Sequence, residues 1–213
     1  MDPFDFQELA ADMGATVSAE GAGRLLRYLE AMLDENTRVN LTAVRDPEAA
    51  VMFHALDSVA LALCSFDAAP EMALDIGTGN GFPGVAIACL FPNAKVVLLD
   101  RTLKKLKAIE RALETAGFDL GQFKTEQMDA AEAPAHGYKS KFDLITTRAV
   151  GSPRDMGRLA DPLLKRGGRF VAWLSDETVA VQTLKGNLRK VKEFEYSLPA
   201  PASRFRRLAE YRY

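Results

Sequence analysis

Residues 73–84 constrain the fold more than any other part of the sequence. The segment reads ALDIGTGNGFPG, an apolar run that leads into glycines at positions 77, 79, 81 and 84. Glycine lets the backbone turn sharply and lets a ligand lie against the main chain. Pro83 stands where a helix would begin, and the amide groups of such a helix would point toward negative charge. A strand, a glycine loop and a helix in this order predict a ligand-binding loop in an α/β unit.

The rest of the chain repeats this alternation of strands and helices. Strands are predicted at 72–76, 95–100, 122–126, 142–146 and 169–174, with two late strands at 190–197 and 205–213. Helices are predicted at about 102–116, 154–165 and 176–187. Near-continuous apolar strands alternating with helices indicate an α/β, Rossmann-like fold with a mostly parallel sheet covered on both faces. Antiparallel final strands at one edge are compatible with this pattern.

The first 65 residues lack strands and predict a small helical extension. Ser18 is a candidate N-cap for a helix with apolar residues at i, i+3, i+4 and i+7 spacing. Asp46 and Pro47 form a cap followed by proline at the first helical position. We therefore expect a helical extension over 1–65 and a single compact domain over 66–213.

Composition excludes several classes of protein. The 27 Lys and Arg residues against 29 Asp and Glu give a net charge of −2, so a globally basic nucleic-acid binder is ruled out, although local basic islands remain. No apolar run is long enough for a membrane span, and the acidic N-terminus does not resemble a signal peptide. Two separated cysteines and two histidines do not suggest a metal site. We expect a cytoplasmic monomer without a metal or a membrane partner.

Two cofactor classes use a loop of this kind. Gly79, Gly81 and Gly84 fit the dinucleotide fingerprint, whereas an acid before the first glycine, here Asp75, is typical of S-adenosylmethionine (SAM) enzymes. Asp100 ends the second strand, where a carboxylate can accept hydrogen bonds from both ribose hydroxyls or cap the following helix. A nicotinamide-dependent oxidoreductase is one alternative, but this sequence has no convincing Tyr-x-x-x-Lys motif or His relay for hydride transfer. A packing loop that binds no ligand is the other alternative.

Five motifs follow one another along the chain. They are Asn40-Leu-Thr-Ala, His54-x-x-Asp57-Ser, Asp75-Ile-Gly-Thr-Gly-x-Gly-Phe-Pro-Gly, Asp100-x-x-x-Lys104-Lys105 and Arg148-Ala. This combination resembles the RsmG (GidB) family of bacterial 16S rRNA guanine-N7 methyltransferases. The resemblance runs from about residue 20 to 175 and more weakly to the end. It implies a class I SAM-dependent methyltransferase domain behind a helical extension, with SAM as methyl donor and the rRNA of the small ribosomal subunit as substrate.

The sequence and the resemblance together assign candidate site residues. Cofactor contacts are expected from Asp75, Gly77, Gly79, Gly81, Phe82, Asp100, Met128, Asp129 and Arg148. Catalytic roles are expected for Arg148, Asn40 and His54, and substrate contacts for Arg45, Lys104, Lys105 and Arg206. The alternatives are structural: an ion pair for Arg148, solvation for Lys104 and Lys105, and, for His54 with Asp57, an internal polar pair that joins the extension to the sheet.

The expected chemistry requires few catalytic groups. Guanine N7 carries a free lone pair at neutral pH, so an in-line attack on a sulfonium methyl needs no general base, and the enzyme contributes proximity and alignment. The sequence departs from the family at Leu174-Ser175, where Lys-Gly is usual, and at Arg101, where Ser is usual. A divergent methyltransferase that acts on another RNA, or a non-catalytic RNA-binding module on the same fold, are therefore alternatives.

Overall fold

The computed structural model describes residues 1–148, 151–174, 180–184 and 188–213. One seven-stranded sheet organises these residues. The strands are β1 (Met72–Ile76), β2 (Lys95–Asp100), β3 (Phe123–Gln127), β4 (Phe142–Arg148), β5 (Leu164–Leu174), β6 (Arg189–Leu198) and β7 (Arg204–Arg212). Their spatial order is β3-β2-β1-β4-β5-β7-β6. The first five strands pair in parallel, and β7 pairs antiparallel with both β5 and β6.

Helices precede the sheet and connect its strands. The α-helices are α1 (Pro3–Asp12), α2 (Ala19–Asn36), α3 (Pro47–Ala50), α4 (Asp57–Val59), α5 (Gly84–Leu90), α6 (Leu103–Thr115) and α7 (Pro153–Ala160). Shorter helical turns lie at Val51–Leu56, Ala60–Leu63, Leu120–Gln122 and Pro134–Tyr138. The predicted caps are confirmed, because Ser18 accepts from the Gly21 amide at 3.0 Å and Asp46 from the Ala49 amide at 2.8 Å. None of the helices in the described ranges is long and apolar enough to cross a bilayer.

Apolar side chains cover both faces of the sheet. Successive residues of a strand point to opposite faces, and Ala73 and Leu74 of β1 belong to two different core clusters. The first cluster contains residues of α1, α2, α5 and α6, and the second contains residues of α7. The expected α/β architecture, with a mostly parallel sheet between helices and antiparallel strands at one edge, is confirmed.

Two expectations about the chain between β4 and β6 change. The helix predicted at 154–165 ends at Ala160, and β5 begins at Leu164, earlier than the predicted residue 169. The pairing of β4 with β5 shifts between Phe142 and Leu144, because the extra residues around Gly167 and Gly168 bulge out of β5. Gly167 has a φ of +79°, a conformation that glycine adopts at no steric cost. Most of the helix predicted at 176–187 lies outside the described residues.

The helical extension shares its core with the sheet domain. The boundary near residue 65 separates two regions in sequence, but α2 packs against both α5 and α6 across it. The Glu35 carboxylate at the end of α2 accepts from Arg111 of α6 at 2.6 Å. This hydrogen bond, against the opposing effect of burial, lowers the pKa of the Glu35 carboxyl. At the other end of α2, a Cβ on Gly21 would lie 2.6 Å from the carbonyl oxygen of Cys89, so the close approach of α2 to α5 requires glycine.

Asp75 is a buried carboxylate that ties three elements together. Its Oδ2 accepts from the Gly84 amide at the start of α5 at 3.0 Å, and its Oδ1 accepts from the Thr146 hydroxyl of β4 at 2.9 Å. The residue has no exposed surface. Burial raises the pKa of Asp75 to about 6, although both hydrogen bonds favour the ionised form. Asp75 therefore fixes the helix that follows the glycine loop.

Two substitutions in α2 should have opposite effects on stability. Gly21→Ala forces a Cβ against a backbone oxygen and should lower the free energy of unfolding by about 1–3 kcal/mol. Gly23→Ala is the matched control, because a Cβ there meets nothing closer than 3.5 Å. It should raise that free energy by about 0.5–1 kcal/mol, since alanine restricts the unfolded chain. Urea unfolding measures both, and equal effects of the two changes would contradict the close packing of α2 on α5.

Asp75 should give the free energy of unfolding a distinctive dependence on pH. The pKa of Asp75 is about 6 in the folded protein, whereas in the unfolded chain it has the ordinary value of 3.8. As pH falls through this window the folded state takes up the proton first, so the contribution of Asp75 to stability increases. Asp75→Asn lacks the ionisation penalty and can still accept from Gly84. Its stability relative to wild type should be highest at pH 7 and decrease by about 2–3 kcal/mol toward pH 4. Parallel pH profiles in urea unfolding would refute this role.

Candidate active site

The glycine loop is fixed to the end of β2 by backbone hydrogen bonds. The amides of Gly77 and Thr78 both donate to the carbonyl oxygen of Leu99, at 2.9 and 3.0 Å. The Gly79 amide donates to Oδ2 of Asp100 at 3.0 Å. Gly77 and Gly79 have φ values of +71° and +59°, a region that residues with a Cβ rarely adopt. The loop therefore crosses the carboxyl ends of β1 and β2, and the backbone of Gly77 and Gly79 is partly exposed to solvent.

A cavity of about 430 Å³ opens beside this loop. It lies next to β1, where the chain order of the sheet reverses, and ligands of open α/β sheets bind at such a switch point. Its volume is within the range of about 300–1,000 Å³ that is common for small-molecule sites. The lining residues are Ile76, Gly77, Gly79, Leu99, Asp100, Arg101, Thr102, Lys105, Met128, Asp129, Ala130, Arg148, Met156 and Leu159.

The structure brings seven of the candidate residues to this cavity. They are Gly77, Gly79, Asp100, Lys105, Met128, Asp129 and Arg148. Asp100 accepts from the amides of Gly79 and Thr102, so it holds the loop and the approach to α6 while its carboxylate still faces the cavity. Asp129 forms an ion pair with Arg101 at 2.7 Å. One wall thus carries two carboxylates, and each is already engaged by the protein.

Gly81 and Phe82 lie in the rear part of the glycine loop and are not among the described residues that line the cavity, so their expected cofactor contacts stay predictions. Phe82 is buried against the ring of Tyr28, with 5.3 Å between the ring centroids. The Tyr28 hydroxyl donates to the carbonyl oxygen of Asn80 at 2.9 Å. A Cβ on Gly81 would lie 2.0 Å from that hydroxyl oxygen. Position 81 therefore requires glycine, because the Tyr28 side chain of the helical extension packs against the back of the loop.

Asp75 and His54 also lie away from the cavity wall. Asp75 is fully buried and accepts from the Gly84 amide at the start of α5, and its expected contact with a cofactor stays a prediction. His54 is buried, its Nε2 is 3.0 Å from the hydroxyl oxygen of Thr42, and its ring stacks on Phe82. Burial, and next the charge of Arg148, lower the pKa of His54 to about 3, so the ring is neutral at pH 7. In this structure the His54 ring packs beneath the loop, and its expected catalytic role stays a prediction.

Arg206 is committed to an internal ion pair rather than to a surface. Its guanidinium donates to both carboxylate oxygens of Asp57, at 3.1 and 3.0 Å. Asp57 is only 1% exposed and also accepts from Arg148 at 3.1 Å. The charge of Arg206 is compensated by Asp57 inside the protein, and its expected substrate contact stays a prediction. The alternative of an internal His54–Asp57 pair is not observed, but Asp57 does link the extension to the sheet, through Arg148, Arg206 and Tyr196.

The other candidate residues are exposed. Asn40 and Arg45 lie in the loop between α2 and α3, and Lys104 lies in the first turn of α6. The side-chain oxygen of Asn36 accepts from the amides of Leu41 and Thr42 at 2.8 and 3.0 Å, which shapes the loop. Asn40 does not line the cavity, so the structure gives no support to a catalytic role for it. Arg45 and Lys104 are thus cations on the surface of the described part of the chain.

Sequence reasoning missed Tyr28 and the apolar part of the cavity. Tyr28 belongs to an amphipathic helix, where an aromatic residue at helical spacing signals only a core position. Met156 and Leu159 of α7 line the cavity. No pattern of apolar residues after β4 predicted that α7 would contact this cavity. The motif of glycines could have indicated Gly81 as a packing position only if the neighbouring helix were known.

Solved structures share this architecture. MtNAS in complex with S-adenosylmethionine aligns with a TM-score of 0.57 and 15% identity, covering 98% of this chain and 88% of that chain. TrmN from Thermus thermophilus aligns with a TM-score of 0.59 and 20% identity, covering 78% of this chain and 51% of that chain. At such identities the likeness shows the fold alone, and it confirms the expected class I methyltransferase architecture.

Relatives in sequence define the family. The protein named ribosomal RNA small subunit methyltransferase G of Symbiobacterium thermophilum is 32% identical, with coverage of 89% of this chain and 82% of that protein. The protein of the same name from Streptococcus pyogenes is 31% identical, with coverage of 99% and 91%. The family profile "GidB: rRNA small subunit methyltransferase G" matches residues 22–198. The chain belongs to the rRNA small subunit methyltransferase G family.

Proposed function

We propose that this protein transfers a methyl group from S-adenosylmethionine to N7 of a guanine in 16S rRNA of the small ribosomal subunit. The family contributes the reaction class, because its name and the names of the relatives specify methylation of small-subunit rRNA. The cavity beside the glycine loop contributes the place where the cofactor would bind.

The observation that carries the proposal is the combination of bare glycine backbone and an acceptor carboxylate in one cavity. Among the residues that the structure describes, a Cβ on Gly79 would meet only the carbonyl oxygen of Gly77 within 4 Å, so a nucleoside can lie directly on the main chain. Each oxygen of Asp100 accepts one amide, and a carboxylate oxygen has two lone pairs. The remaining lone pairs suit the two ribose hydroxyls, so the residues present fit the cofactor.

The other walls divide the remaining contacts. Met128 and Asp129 would lie on the adenine side, where the apolar side chains of Ile76 and Leu99 add surface for a flat ring. Arg148 lines the cavity with its guanidinium already oriented by the protein. Its proposed role is to touch the bound cofactor and fix its orientation toward the substrate.

The reaction needs alignment rather than proton transfer. The bound cofactor supplies an electrophilic methyl group on a sulfonium sulfur. Among the described residues of the cavity wall, the carboxylates of Asp100 and Asp129 are engaged by amides and by Arg101, so neither is a free general base. A guanine N7, which attacks through an existing lone pair, suits this wall. The chain then contributes by holding the reactants together and by excluding water.

Cations on the cavity wall, on α6 and on the extension fit an RNA substrate. Lys105 lines the cavity, Lys104 lies beside it on α6, and Arg45 lies on the extension. Contacts from these side chains to phosphates would position the RNA without reading its sequence. The proposal also includes a monomeric protein that acts in the cytoplasm, where small ribosomal subunits are found.

Undermodified small subunits should be methylated by the purified protein. Incubation with methyl-labelled SAM should yield 7-methylguanosine in 16S rRNA, identified by mass spectrometry of nuclease fragments. Small subunits that already carry the methyl group are the control, and they should accept no further label at this position. A product at another atom or in another RNA would contradict the N7 assignment, and cofactor binding without any product would indicate an RNA-binding module.

Asp100→Asn should weaken binding of SAM by about tenfold or more. Asparagine has one acceptor oxygen instead of two, and the amides of Gly79 and Thr102 would compete for it, so no lone pair remains for the ribose hydroxyls. Hydrogen bonds to charged groups contribute about 1.5–3 kcal/mol, which corresponds to tenfold or more in Kd. Asp119→Asn is the matched control, because Asp119 also accepts from an amide two residues later, at 2.8 Å, but lies outside the cavity wall. Calorimetric titration with SAM measures both, and equal affinities would rule out the ribose contact.

A further inference from the structure

Asp57 connects the helical extension to three strands. Its side chain accepts from Arg206 of β7 through both oxygens, at 3.1 and 3.0 Å, and from the hydroxyl of Tyr196 of β6 at 2.7 Å. Its backbone oxygen accepts from the indole of Trp173 of β5 at 2.9 Å. The carboxylate is 1% exposed, so every one of these contacts is shielded from water.

Arg148 reaches the same carboxylate from β4. Its Nη1 donates to Oδ2 of Asp57 at 3.1 Å, to the carbonyl oxygen of Phe53 at 3.0 Å and to the hydroxyl of Ser58 at 3.2 Å. Its Nη2 donates to the carbonyl oxygen of Phe82 in the glycine loop at 3.3 Å. The side chain nevertheless lines the cavity beside the loop. One guanidinium therefore joins the extension, the glycine loop and the cavity wall.

We infer that Asp57 is a positioning residue, which holds the guanidinium of Arg148 in place against the wall of the cofactor cavity. The inference rests on the proposed function, because it assumes that the cavity binds SAM. Asp57 itself lies outside the residues that line the cavity. It acts through the charge-assisted hydrogen bond to Nη1, and such bonds are strong and directional.

The charge of Asp57 serves the same cavity. A sulfonium centre is positive, so a neighbouring guanidinium without a counter-charge would oppose its binding. Asp57 supplies a negative charge to Arg148 in a buried setting, where solvent screens the interaction little. The carboxylate thus orients the arginine and reduces its repulsion of a cationic ligand.

Asp57→Asn should raise the Kd for SAM by about tenfold or more, the effect expected when a charged hydrogen bond is lost. Tyr196→Phe is the matched control. It removes a different buried hydrogen bond to the same carboxylate but leaves Arg148 and Asp57 paired, and it should change the Kd by less than about twofold. Both variants should lose thermal stability, so stability does not distinguish them. Calorimetry well below the melting temperature does, and equal Kd values for Asp57→Asn and wild type would overturn the inference.

A double-variant cycle tests whether Asp57 acts through Arg148. In the Arg148→Met background, adding Asp57→Asn should change the Kd for SAM by less than about twofold, because the charged side chain that Asp57 positions and compensates is gone. Independent, additive effects of the two changes would overturn the inference.

A charge-balanced pair covers the case in which Asp57→Asn does not fold. Asp57→Asn with Arg206→Met has the wild-type local net charge, and Arg206→Met alone is its reference. The pair should show a Kd for SAM about tenfold above that of Arg206→Met, and equal values would refute the inference. Failure of the wild-type protein to bind SAM would instead reject the proposed function, so the two failures are distinguishable.

Discussion

The attachment of the glycine loop to its surroundings is the constraint on which the site depends. Two amides of the loop share the Leu99 carbonyl oxygen, and a third donates to Asp100. From behind, the Tyr28 hydroxyl holds the Asn80 carbonyl oxygen. These bonds fix a segment that has few side chains of its own to pack. The loop is therefore ordered by neighbours on β2 and α2, and its exposed main chain is left available to a ligand.

Buried charge completes the attachment at two points. Asp75 binds α5 to β4 below the loop, and Asp57 joins the extension to the sheet through Arg148 and Arg206. A buried carboxylate is costly unless it is paired and hydrogen-bonded, and both of these carboxylates are. Because each has partners on different elements, neither can be displaced without moving several parts of the fold.

The sequence predicted most strands and the loop, because these depend on local pattern. Apolar runs bounded by glycine or aspartate gave β1 and β2 with the observed bounds. The start of β5 was missed because Lys165, Arg166 and two glycines interrupt the apolar run, and Leu164 pairs with Phe142 of β4 only across the register shift. Whether Asp75, Phe82 or His54 faces a ligand or the interior depends on which side of the loop the extension covers, and no local pattern encodes that choice. The same limit applies to Arg206, whose partner lies 149 positions away.

The contact of Tyr28 with the loop has a consequence for how the chain can vary. α2 touches the cofactor loop from behind and lines no part of the cavity among the described residues. Tyr28 and the absence of a side chain at position 81 are matched, since a side chain at position 81 would require a smaller residue at position 28. The helical extension and the sheet domain are thus expected to be inherited together. A chimera of two distant relatives would have to take positions 28 and 81 from the same parent.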